Sequence, residues 1–140
     1  MKLVYIELIL ILGFMFFTYI RPTVVKSTSS EFLKIILFSL PNLFEAIVGT
    51  LMLTGVGLLI NNSLGLKNQI RPKTIYTIAV VLAGIYVSAQ ELKIHNLGGN
   101  NVYDSNDLLF SFIGLIIGYS MVVWIQPVIN NEDETETLIE

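Results

Sequence analysis

The chain has 140 residues, of which 54% are hydrophobic and 14% charged, against roughly 45 to 50% and about 25% in an ordinary soluble domain. Eight Lys and Arg against eleven Asp and Glu leave a net charge of −3, without the basic footprint of a nucleic-acid binder. The absence of cysteine excludes disulfides, thiolate nucleophiles and cysteine-based metal sites.

A mean hydropathy of +0.72 is more than a single soluble domain of this length can hide. The expected fold class is therefore an all-α integral membrane protein, a four-transmembrane-helix bundle. The first apolar run, residues 3–20, is broken by Glu7 and Thr18. At ~1.5 Å per residue it reaches ~27 Å, close to the ~30 Å hydrocarbon thickness of a bilayer. It leads into Tyr19-Ile20-Arg21-Pro22 with no small-residue cleavage site, which favours a retained span over a cleaved signal peptide.

The second apolar block, residues 32–60, is too long for one upright span and contains Pro41. Proline disfavours helical backbone at the residue before it, so Leu40-Pro41 reads as a break. On that reading residues 31–38 form a short interfacial helix with Lys34 near the headgroups, and Ser39 caps a second span over 39–60. The alternative is one tilted and kinked helix across the whole block.

Residues 61–73 form a polar connection carrying Lys67, Arg71 and Lys73 and closed by a second Arg-Pro pair. Asn61-Asn62-Ser63 matches the glycosylation pattern, which is too common by chance to carry weight. The third span is expected over 74–92 and the fourth over 108–125, with Trp124 placed for an interfacial belt. Residues 130–140 hold five acidic residues and no basic one, the composition of a solvated, disordered tail. Residues 1–129 thus form a single transmembrane domain.

With four spans, Lys2, Lys67, Arg71 and Lys73 lie on one side and Arg21, Lys26, Lys34 and Lys93 on the other. The count is a tie, and the acidic tail cannot break it, because only Lys and Arg enter the positive-inside rule. The cluster in the 61–73 loop favours both termini in the cytoplasm and a multi-pass location in the inner (cytoplasmic) membrane.

Polar residues in or beside the spans are the functional candidates. Asp104 and Asp107 stand where the fourth helix should begin; they suit a cap and a first-turn charge, and equally a ligand, ion or headgroup contact. Ser111, Gly114 and Gly118 share one face of that helix, and Gly114-Leu115-Ile116-Ile117-Gly118 is a GxxxG pattern that lets helices approach closely in lipid. Ala79 and Ala83 offer a comparable small face on the third span. Glu45 is an acidic residue inside an apolar span, costly enough there to suggest function, and Asn42 shares its face. If Ser39 is the cap, Glu45 lies only ~9 Å along its helix and reaches water. His95 has no histidine partner at metal-binding spacing. No catalytic constellation, metal site or cofactor motif is visible, so no enzymatic activity is expected.

The stretch from Gln90 to Gly118 resembles the VanZ-like family of small bacterial membrane proteins, named for a teicoplanin-resistance protein. Around its last helix that family carries a Gln, then an Arg, then Asp-x-x-Asp-x-x-x-Asn-x-x-Gly-x-x-x-Gly. Gln90, Asp104, Asp107, Gly114 and Gly118 match. Asn101 stands in place of the Arg and Ser111 in place of the Asn; Ser111 keeps a small hydrogen-bonding group, whereas Asn101 loses the charge. Leu40-Pro41-Asn42-Leu43-Phe44-Glu45 is similar to the Leu-Pro-Ser-Phe segment that opens an earlier span in some relatives, with Glu45 in place of a His. The resemblance implies an envelope protein, linked in some members to lipoglycopeptide tolerance.

The leading expectation is a non-enzymatic envelope protein in which Gln90, Asn101, Asp104 and Asp107 form a polar pocket for a membrane lipid or glycolipid headgroup, or for a partner protein. The alternative is a proton, ion or small-solute pathway through a homo-oligomer, using Glu45. An intramembrane hydrolase built on the carboxylates is third, because nothing activates a nucleophile. A closed, packed interior would disfavour transport, and a lateral groove ending at Asp104 and Asp107 would favour lipid binding.

Overall fold

The computed structural model describes residues 2–64, 66–91 and 105–127. They form four α-helices, α1 (Lys2–Ser27), α2 (Glu31–Ser63), α3 (Pro72–Glu91) and α4 (Ser105–Ile125), with a short 3-10 turn at Leu66–Asn68. All four are long and apolar enough to cross a bilayer. The acidic tail, His95, Asn101 and Asp104 lie outside the described residues.

Two of the expected helix boundaries move. α1 continues through Arg21-Pro22 to Ser27, and α2 is one unbroken helix through Pro41, so residues 31–38 are not a separate interfacial helix. Each proline removes one backbone hydrogen bond, to the carbonyl four residues earlier. In lipid there is no water to offer the neighbouring groups an alternative, so continuing the helix is the cheaper solution. The N-cap of α2 is Ser30, whose side chain accepts from the Leu33 N–H at 3.5 Å, and not Ser39, which is buried within the helix. Glu31 in the first turn complements the helix dipole and pairs with Lys34 at 2.9 Å. Across the interface with α1, the Arg21 guanidinium lies 4.7 Å over the Phe38 ring.

The connection between α2 and α3 closes on one side chain. Asn61 donates from Nδ2 to the Ile70 carbonyl at 3.1 Å and accepts at Oδ1 from the Ile70 N–H at 2.8 Å. Pro72 then opens α3 at the position where a missing N–H costs nothing. α4 ends at Gln126, whose φ of 46° turns the chain, and the Tyr76 hydroxyl donates to the Pro127 carbonyl at 3.0 Å. Trp124, 88% exposed, is free to lie among headgroups.

α2 is the central helix, packed against α1, α3 and α4, while α3 and α4 also pack on each other. One apolar cluster joins Leu3, Ile47, Leu51, Leu58, Ile75, Tyr76 and Val122; a second joins Ala46, Ala83, Val87 and Leu115. Ala79 and Ala83 are both buried, as the small face expected on the third span requires. The result is a tight α2–α3–α4 core with α1 leaning on α2.

Candidate ligand site

The α2–α4 contact is built from small residues at matching intervals. On α4, Ser111, Gly114 and Gly118 are buried against α2. A Cβ placed on Gly114 would overlap the Leu43 carbonyl and lie 2.8 Å from the Ala46 Cβ; one on Gly118 would lie 3.0 Å from the Thr50 Cβ. The α2 residues at this contact are Leu43, Ala46, Ile47 and Thr50, and Ser39, Ala46, Thr50 and Thr54 of α2 are all buried. Thr50 and Thr54 turn their hydroxyls back to the carbonyls of Ala46 and Thr50, each at 2.8 Å. Their methyl groups are left to pack, and no polar atom is stranded.

Seven residues, two helical turns, before Ala46 and Gly114 stand Ser39 on α2 and Asp107 on α4. Here the seam is not satisfied, because Ser39 Oγ and Asp107 Oδ1 are both buried without a hydrogen-bond partner. Asp107 sits in the first turn of α4, the position expected for it. Gln90 is exposed near the end of α3. With Asn101 and Asp104 outside the described residues, the four-residue headgroup pocket is not assembled among those that are described.

Glu45 occupies a different and deeper place from the one expected. Because α2 begins at Glu31, Glu45 lies ~21 Å along the helix, not ~9 Å. Its neighbour Ala46 packs at Gly114, near the middle of α4, so the carboxyl stands at mid-span. It lines a cleft of about 370 Å³ between α1 and α3, floored by α2, within the usual size range of ligand pockets. Ile11 and Phe14 come from α1, Phe44 and Gly49 from α2, and Ala83 and Tyr86 from α3. The Phe14 and Phe44 rings lie 5.7 Å apart at one wall. Asn42, half-buried one turn earlier on α2, is not part of the lining. Glu45 is exposed to this cleft and forms no hydrogen bond or ion pair among the described residues.

Three polar features were not singled out by sequence reasoning. Ser39 was hidden by its assignment as a cap. The Thr50 and Thr54 half of the seam was legible as a spacing of four from Ala46. Glu7 lies on the stripe of α1 that faces α2, with Oε1 buried and unpartnered; its spacing of four from Leu3, also buried, was the available signal. No group of three or more His, Cys, Asp or Glu that could hold a metal occurs among the described residues.

No family model, no curated protein and no solved structure matches the chain. Its functional reading rests on the geometry.

Proposed function

We propose that this multi-pass membrane protein is non-enzymatic, lies in the cytoplasmic membrane of the cell envelope with both termini in the cytoplasm, and holds a membrane lipid or lipid-like amphiphile in the cleft beside Glu45. The observation that carries the reading is the cleft itself. It is apolar apart from the Glu45 carboxyl and the Tyr86 hydroxyl and lies between two helices that should face hydrocarbon, so its natural visitors are molecules already dissolved in the bilayer.

The packed α2–α4 seam speaks against an aqueous pore through this chain. Glu45 at mid-span keeps a proton or ion pathway as the second reading, with other copies of the chain enclosing it. The VanZ-like proposal rests on Gln90, Asp107, Gly114 and Gly118 within the described residues, and would place the amphiphile among lipids or glycolipids of the envelope. The cytoplasmic assignment rests on Lys67, Arg71 and Lys73, which share one end of the bundle with the start of α1.

Native mass spectrometry of the full chain after mild extraction tests the reading. Wild type should retain an amphiphile adduct, and Gly49→Leu should lose it, because nothing lies within 4 Å of a Cβ at Gly49 and the new side chain would occupy the cleft. An adduct of equal occupancy on the variant would count against the cleft as the site. The same spectrum reports whether the chain associates with itself.

A further inference from the structure

We propose that the cleft selects an amphiphilic organic cation, an ammonium or phosphonium with an apolar body, and pairs its charge with Glu45. This deepens the amphiphile reading and rests on it. A carboxyl at mid-span is costly without a partner, and the described residues supply none. Arg21, Lys26 and Lys34 lie toward one end of the bundle and Lys67, Arg71 and Lys73 toward the other, and no basic side chain lines the cleft. A second copy of the chain would present the same distribution, so its described basic residues could not meet Glu45 at that depth either. With no described basic side chain at that depth, a cation that travels in the bilayer is the partner that can reach it.

The walls favour the cation. Phe14 and Phe44 stand together on one side and Tyr86 on the other. Aromatic faces around a single carboxylate are the environment that recognises organic cations, through the ring quadrupole together with the charge. A strongly hydrated metal ion would find one carboxylate and few further oxygens in place of its shell. Of the side chains facing Glu45, those from α1 are Ile11 and Phe14 and those from α3 are Ala83, Tyr86 and Val87. The Tyr86 phenol is the other titratable group among them.

The experiment uses the full chain in phosphatidylcholine nanodiscs, with tetraphenylphosphonium as the probe in equilibrium dialysis and native mass spectrometry for the lipid adduct. Wild type should bind the probe saturably. Glu45→Gln should weaken binding more than about tenfold while keeping the helical circular dichroism; Glu45→Asp should keep most of the binding. Undiminished binding by Glu45→Gln would overturn the proposal, as would a wild-type protein that carries the lipid adduct but ignores the probe. In that last case the amphiphile reading survives; loss of adduct and probe binding together in wild type removes both.

Discussion

The Gly114 backbone rests so close to the Leu43 carbonyl that no side chain fits between them. This is the closest point of the α2–α4 seam, and it contrasts with Gly49 on the other side of α2, where a Cβ would meet nothing within 4 Å. Gly114→Ala should therefore destabilise the protein by about 1 to 3 kcal/mol, since backbone must shift to make room. Gly49→Ala should be neutral, or stabilising by about 0.5 to 1 kcal/mol through helix propensity. Thermal unfolding in detergent reads both. Equal shifts would mean that the close approach does not contribute to stability.

Helix direction gives a prediction about sidedness. Leu3 lies against Gly55, 3.5 Å from a Cβ placed there, and Gly57 lies against Ile75, so α1 and α3 both run antiparallel to α2. Reporter fusions after residues 26 and 66 should fall on opposite sides of the membrane. A shared side would be incompatible with this arrangement.

The unsatisfied end of the seam should behave unlike the rest. A buried polar atom with no partner costs about 1 to 3 kcal/mol, so removing the Ser39 hydroxyl, which is 1% exposed, should raise stability. Thr50→Ala should lower it by about 1 kcal/mol, because its hydroxyl is satisfied and its methyl packs. Asp107→Asn should fold normally, losing about 0.3 to 1 kcal/mol of first-turn charge. A loss of stability in Ser39→Ala as large as that in Thr50→Ala would show that the hydroxyl has a partner when the protein sits in lipid.

Asn61 is expected to hold the α2–α3 connection closed. Asn61→Ala removes both of its bonds to Ile70 and should cost about 1 to 2 kcal/mol, with faster proteolysis between residues 64 and 71 as the direct readout. Asn61→Asp keeps the acceptor and should fall between. Unchanged proteolysis in both variants would assign the loop's order to Pro72 instead.

How much of this was visible in the sequence differs from element to element. Hydropathy located all four helices, and the ends of α3 and α4 came within about three residues. The C-terminal end of α1 and the N-terminal end of α2 did not, because Arg21-Pro22 and Leu40-Pro41 carry the signals of a break in water, where a displaced carbonyl finds a solvent partner. In hydrocarbon it does not, and the helix continues. The stripe of Gly114 and Gly118 was legible because glycine at that spacing has few other uses in a lipid-embedded helix. The position of Glu45 was not, since its depth depends on where α2 starts, and one residue taken as a cap shifted it by ~12 Å. The cleft joins side chains from three helices and had no local signature.

The length of α2 has a consequence for where the protein can work. At 33 residues it is ~50 Å long, against ~30 Å of hydrocarbon, and it outruns α4 by ~9 Å at either end. Such a mismatch is relieved by tilt or by thickening the surrounding lipid. Because α1 is held mainly through α2, a change of tilt alters the gap between α1 and α3 and with it the access to Glu45. Bilayer thickness thus becomes a control on binding, and affinity for the tetraphenylphosphonium probe should vary systematically with acyl-chain length at constant headgroup.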